Sequence, residues 1–402
     1  MPRPADLRDH GFKATIFNRI REEIDARSGS GEAPIALHVG DTYSDLPPEL
    51  NQPLDAEPWN DRMSRYGETQ GEPELRRRLF NKLTSINKLP IDSERDIQIT
   101  FGATGGLFLA MTRLLEPGDE VLTLSPHWTI FKVVASTAKV RAVEVPFFHH
   151  FAPQAQDIRL DGHPTPSAGA DVEQILTPFL TDNTRAIYFN NPNNPSGVFL
   201  PLPILEQIAA FARKHDLWVL SDEAYEEYVW AQQPYVSIAS LPGMHERTVS
   251  VFSASKSYAA AGLRLGWIAA APGPLAAMHP AHVGVGYEPN RPSQVQGIRA
   301  LAHHYVITER LRTAYLECRS AAMENLKRPY MAADGSFYLF VDMRETWDGL
   351  NDAQRLDRML NAGVVVSPGG PFGAAYDGWA RFCYTAEPPE VIAEAARRLT
   401  NV

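Results

Sequence analysis

Thr248-Val249-Ser250-Val251-Phe252 runs directly into Ser253-Ala254-Ser255-Lys256, and eight residues later Arg264 stands within Gly262-Leu263-Arg264-Leu265-Gly266. The β-branched, small and aromatic residues before the lysine predict a buried strand. Lys256 then lies just past the strand end, where open α/β sheets place their ligands. An amine there is costly unless it is paired or used covalently. The serine hydroxyls upstream and the arginine downstream offer partners for a phosphorylated ligand.

Outward from this stretch, strands and helices alternate from about residue 97 to 270. Residues 97–101, 120–124, 186–189, 217–220, 248–252 and 265–270 read as strands, with helices at 107–115 and 204–214. Such alternation implies right-handed crossovers and a mostly parallel sheet, hence an α/β fold. Leu75, Leu79 and Leu83 predict a helix over 72–86. The N-terminal part reads as a helix near 12–26, then a short strand and turn at 34–40. Residues 47–63, with their prolines and acids, read as an extended crossing segment. From 294 to about 326 the chain reads as helical. Short strands at 336–342, 364–367 and 379–384 and a helix over 389–399 complete a separate α+β lobe, joined by the N-terminal segment.

A chain of 402 residues, 44% of them hydrophobic, has material for two or three domains. The formal net charge of -10 argues against nucleic-acid or anionic-membrane partners and suits a protein acting on small molecules. Arg76-Arg77-Arg78 reads as the wet face of a helix. Cys318 and Cys383 form no metal motif or disulfide framework, so a reducing compartment is expected. Residues 1–20 lack the apolar core of a secretory signal, and no apolar run approaches the ~18–20 residues of a membrane helix. A cytoplasmic location follows as the expectation. His149-His150 and His303-His304 lack metal-ligand spacing and read as surface or helix-face residues; no metal is expected. His38 and His127 each neighbour a candidate site residue.

Three further runs carry chemistry. Gly102-Ala103-Thr104-Gly105-Gly106-Leu107 lies between a strand and a helix, where exposed N–H groups and the helix start attract an anion; plain steric need for glycine in a turn explains it equally. Asn190-Asn191-Pro192-Asn193-Asn194-Pro195-Ser196-Gly197 is a turn after a strand, yet a turn alone does not account for two Asn-Pro steps followed by Ser-Gly. Asn194 is placed to donate its amide to a ligand oxygen. Ser221-Asp222-Glu223-Ala224-Tyr225 reads either as a helix N-cap with acids in its first turn or as a carboxylate that keeps a pyridine nitrogen protonated, with Tyr225 beside a ring oxygen. One chemistry joins all four runs: a Schiff base between Lys256 and pyridoxal phosphate.

With these residues in view, the chain resembles the fold type I pyridoxal-phosphate enzymes of the class I/II aminotransferase family, the aspartate aminotransferase superfamily. The resemblance runs from about Leu37 to Arg381 and rests on an ordered set: Tyr66 with Gly71 and Leu75-Arg76, the turn at 102–106, Pro117-Gly118-Asp119-Glu120-Val121, 191–197, 222–225, 253–266 and Arg381. It implies a large domain at 48–290, built on a mostly parallel sheet of seven-stranded type flanked by helices. A smaller α+β domain would form from 1–47 and 291–402. By the same resemblance, Lys256 holds the cofactor as an imine and shuttles the proton. Asp222 pairs with the ring nitrogen, and Tyr225 and Asn194 bond the 3-oxygen. Ala103, Thr104, Ser253 and Arg264 hold the phosphate, and Trp128 stacks on the ring. Arg381, Gly40 and Asn194 hold the substrate carboxylate, where a planar guanidinium suits a two-oxygen grip. Tyr66 reaches the neighbouring active site, which implies a homodimer.

The chain departs from the family at Gly105-Gly106, at Trp128 where tyrosine is common, and at Ser196 where threonine is commoner. Near Gly284-Val285-Gly286-Tyr287 dicarboxylate-specific members carry an arginine with no clear counterpart here; Arg291 lies nearby in sequence. The expected activity is transfer of an amino group from an amino acid to a 2-oxo acid. The alternatives are a C–S lyase or a decarboxylating or oxidative deaminase on the same scaffold, and a non-catalytic ligand-binding regulator.

Overall fold

The computed structural model describes residues 14–28, 33–53, 63–152 and 171–402. Most of the extended segment expected at 47–63 lies outside these. In chain order the strands are β1 (Ile35–Ala36), β2 (Ile97–Phe101), β3 (Glu120–Ser125), β4 (Arg141–Pro146), β5 (Thr184–Asn190), β6 (Trp218–Asp222), β7 (Thr248–Ser253), β8 (Leu265–Ala269), β9 (Tyr338–Asp342), β10 (Val364–Val365), β11 (Ser367–Pro368) and β12 (Trp379–Cys383).

One seven-stranded sheet has the spatial order β2-β8-β7-β6-β5-β3-β4. Strands β3 to β7 are parallel, while β8 runs antiparallel to both β7 and β2. The reason lies in the connection after β7. Residues 254–264 fall short of the roughly dozen residues that a parallel crossover needs, so the chain must double back. Because β8 is reversed, β2 points the same way as β7. The carboxyl ends of β2, β3, β5, β6 and β7 therefore share one edge, and the connection bearing Lys256 and Arg264 lies on it.

Both sheet faces are covered, so inner strands such as β3 and β7 are buried at every position rather than at alternate ones. On β6, Leu220 packs with Leu107, Met111 and Val249 on one side. Val219 packs with Leu205, Phe211 and Phe189 on the other. A second, antiparallel sheet has the order β11-β12-β9, and β1 pairs in parallel with β10, tying the N-terminal segment to the C-terminal region. Leu37, Leu339, Phe382, Ile392 and Leu399 share that region's core. The helix Arg291–Ala302, which a boundary at 290 assigns to the smaller domain, packs instead against the helix Pro73–Ser85 of the large sheet. Among the described residues, no helix is long and apolar enough to cross a membrane.

Several sequence readings need correction. The strand β4 and the helices Ile130–Thr137 and Pro272–Gly286 were not anticipated. Pro280 inside the last of these is a breaker signal that tertiary packing overrides. Arg76 is not on a wet face: it is buried, with Nε donating to the Gly71 carbonyl at 3.1 Å and Nη2 to Glu68 at 2.6 Å. His149 and His304 are also buried, against Tyr376 and Tyr258 respectively.

The reversal of β8 brings Gly266 against the turn after β2. A Cβ on residue 266 would lie 2.5 Å from the Gly102 carbonyl carbon and 2.7 Å from the Ala103 nitrogen, both backbone atoms that cannot swing aside. Gly266→Ala is expected to cost about 1–3 kcal/mol of stability, the usual range for overpacking. Urea denaturation of the two proteins measures it, and an unchanged midpoint would contradict the close approach.

Candidate active site

The helix Gly102–Leu114 begins directly after β2, so Ala103 and Thr104 occupy its first turn. Backbone N–H groups there lack intrahelical partners and favour an anion. Across from them Arg264 adopts a left-handed backbone, φ 49°. Its guanidinium is laid against Gly102, where a Cβ would stand 2.7 Å from Nη2. Arg264 Nη1 donates to the Ala261 carbonyl at 2.9 Å and to Ser255 Oγ at 3.4 Å. Ala103, Thr104, Ser253, Ser255 and Arg264 form one end of a cavity of about 190 Å³.

Asp222 and Lys256 face the same cavity. Asp222 ends β6 and accepts hydrogen bonds from the Ala224 backbone and the Tyr188 hydroxyl, each at 3.1 Å. Burial pushes its carboxyl up to about 6 against the pull of these donors. No cation is among the main influences on its charge. Lys256 belongs to the short helix Ala254–Ser257, capped by Ser253 Oγ, and its amine donates to the Gly40 carbonyl. Burial pushes the amine's pKa down; Arg381 and Arg264 add to this, against Cys383 and Asp41.

Asn194 and Tyr225 line a further wall, with Trp128. Asn194 Nδ2 donates to the Tyr225 hydroxyl at 3.2 Å. Its Oδ1 accepts from Arg381 Nη1 at 3.0 Å, and Arg381 Nη2 donates to the His38 carbonyl at 2.7 Å. Arg381 and Gly40 thus join the cavity residues through direct hydrogen bonds. The His38 ring is held neutral, its pKa lowered to about 4 by burial and then by Arg381. His127 is buried, its Nδ1 3.0 Å from the Trp128 carbonyl oxygen and its Nε2 3.3 Å from Glu144. Tyr66 is not brought to the cavity of its own chain: it is 83% exposed, with its ring against Tyr287. Arg291 is buried and paired with Glu72 at 2.5 Å.

A family model, aminotransferase class I and II, matches residues 35–399. The chain is also 31% identical to aspartate aminotransferase of Pyrococcus abyssi over 391 residues, covering 96% of this chain and 95% of that one. The chain belongs to the class I and II aminotransferases. Arginine–pyruvate transaminase of Pseudomonas aeruginosa is another relative, 32% identical with 93% of this chain and 91% of that one covered. Among solved structures, the aromatic aminotransferase from Pyrococcus horikoshii gives a TM-score of 0.80 at 30% identity, over 95% of this chain and 98% of that one. This aminotransferase is accordingly a transaminase dependent on pyridoxal 5'-phosphate.

The residues present fit that cofactor at both ends. A helix start and a guanidinium suit its phosphate, and a buried carboxylate without a cation suits its protonated ring nitrogen. Sequence reasoning gave no individual role to Asn190 or Tyr188 in this aminotransferase. Asn190 supports the site by accepting from the Asn194 backbone at 2.7 Å. The repeated asparagines of 190–194 were the available signal. Tyr188 lies inside an apolar strand and gave none.

The pKa of Asp222 fixes a sign. Folding raises it from 3.8 to about 6, so the folded protein binds this proton more tightly than the unfolded chain does. The cost of keeping the carboxylate ionised is absent below about pH 4 and reaches about 3 kcal/mol above pH 6. In cofactor-free protein, Asp222→Asn should therefore gain stability relative to wild type as pH rises through this window. Urea melts at about pH 4.5 and about pH 7.5 test it; an equal difference at both would contradict the assignment.

Proposed function

We propose that Lys256 is the residue that holds the cofactor covalently and moves the substrate proton, and that the chain works as a cytoplasmic homodimer in amino-acid metabolism. The observation that carries this reading is that a buried amine of lowered pKa shares one small cavity with an anion-favouring helix start and an uncompensated carboxylate. Bound pyridoxal phosphate supplies an aldehyde for amines and a ring that withdraws electrons from the Cα–H bond. Asp222 keeps the ring nitrogen protonated, and Tyr225 and Asn194 donate to the 3-oxygen. Ala103, Thr104, Ser253 and Arg264 hold the phosphate, and Trp128 covers the ring face.

Arg381 receives the α-carboxylate of the amino acid or 2-oxo acid, with Gly40 and Asn194 beside it. In support, Arg381 Nε is buried without a hydrogen-bond partner among the described residues, a donor whose desolvation a carboxylate would offset. Lys256 takes the Cα proton and returns it on the cofactor side; a lowered pKa makes its neutral form available for this. The exposed Tyr66 ring supports a role at a partner's site rather than its own. Relatives are named for aspartate, arginine–pyruvate and aromatic substrates. The pairing of Arg291 with Glu72 disfavours a second carboxylate on the substrate.

Lys256→Ala is expected to abolish the visible absorbance of the reconstituted protein and to lower turnover by at least about a thousandfold. A panel of amino acids against 2-oxo acids, with product identification, measures it. Turnover retained in the variant contradicts the role of Lys256. Release of pyruvate and a thiol from a sulfur amino acid, without an acceptor, would point to elimination.

A further inference from the structure

Tyr338, on β9, has no part in the reading above, yet its hydroxyl lies 2.7 Å from that of Tyr225. The residue is fully buried. Its ring meets Tyr225 edge-on with centroids 5.8 Å apart, and its face carries the Arg381 guanidinium at 4.6 Å. A Cβ on residue 40 would overlap the Tyr338 hydroxyl, so this hydroxyl abuts the backbone whose carbonyl takes the Lys256 amine.

One donor-only group settles the hydrogen-bond directions. A guanidinium cannot accept, so the atom of Asn194 facing Arg381 Nη1 is the amide oxygen, and Asn194 Nδ2 turns to Tyr225. The Tyr225 oxygen therefore accepts from Asn194 and retains one lone pair and one proton. If that proton went to Tyr338, Tyr225 would have none for a ligand.

We propose that Tyr338 is a positioning residue that donates its hydroxyl proton to the Tyr225 oxygen, leaving the Tyr225 proton for the cofactor's 3-oxygen. The inference rests on the role proposed above for Tyr225. Two donors on one hydroxyl oxygen polarise it and strengthen its own donation, which favours the ionised 3-oxygen. The charged and titratable groups bearing on the pair include Arg381, Asp222, Asp41, Cys383 and Tyr384, with Lys256 on the adjoining Gly40 carbonyl. Tyr338→Phe leaves all of these in place and keeps the ring face under Arg381.

The test is a spectrophotometric pH titration of the visible band of protein loaded with pyridoxal phosphate, in wild type, Tyr338→Phe, Tyr225→Phe and the double variant. Loss of the Tyr338 hydroxyl should raise the midpoint by about half a pH unit, a threefold change in proton affinity. In the Tyr225→Phe background the same substitution should move nothing, because its effect runs through Tyr225. An unmoved or lowered midpoint in Tyr338→Phe, or an equal shift in both backgrounds, overturns the proposal. A wild-type protein without a titrating band would instead remove the Lys256 reading, and this inference with it.

Discussion

Asp222 is a buried carboxylate whose partners are neutral hydrogen-bond donors, and the organisation of the site depends on that constraint. The neighbouring acids of the same segment are treated differently. Glu226 and Glu227 lie 2.8 and 3.0 Å from Lys82, a cation on the helix Pro73–Ser85. Glu223 accepts from the Tyr235 and Ser237 hydroxyls, both at 2.7 Å. A buried carboxylate is stable with a cation, with a full set of donors, or protonated. Of these acids, Asp222 lines the cavity described above, where a cationic ligand such as a protonated pyridine would complete its set of partners.

The opposite side of the site solves the converse problem. Two guanidiniums, Arg264 and Arg381, bear on an amine that burial already pushes towards neutrality. His38 does not add to the positive charge, since burial and Arg381 keep its ring neutral. A guanidinium offers forked donors suited to an anion, whereas a lysine amine is of the type that can exchange a proton. Asn194 links the two sides, taking a hydrogen bond from Arg381 and giving one to Tyr225. Arg381 and the Tyr225 hydroxyl are thereby joined through one amide group.

Much of the site was legible in the sequence because it lies at strand ends, where an apolar run stops and polar residues begin abruptly. Asp222 after Leu220, Asn190 after Phe189 and Lys256 after Phe252 each mark such a change. Turn composition marked 102–106 as a strand-to-helix junction, although the helix read from Leu107 begins at Gly102. Tyr338 and Tyr188 were illegible for the opposite reason: their polar atom is one hydroxyl on a ring that otherwise suits a core strand. The helix Pro272–Gly286 was missed because local breaker residues outweighed a tertiary environment that the sequence does not display. His149 and His304 read as surface or helix-face residues because polarity predicts exposure, and partners such as Tyr376 and Tyr258 help make their burial tolerable.

By itself the sequence determined the alternating α/β pattern, the order of the site motifs and the chemical type of each group, since these follow from side-chain periodicity and from the residues that interrupt it. Tertiary structure decided which of these groups meet. The short return from β7 to β8 put Arg264 opposite the start of the helix at Gly102, and the pairing of β9 with β12 put Tyr338 beneath Arg381. Direction of return, register and burial depend on contacts between segments far apart in the chain, and those contacts set the charge state of Asp222 and Lys256, which no local pattern encodes.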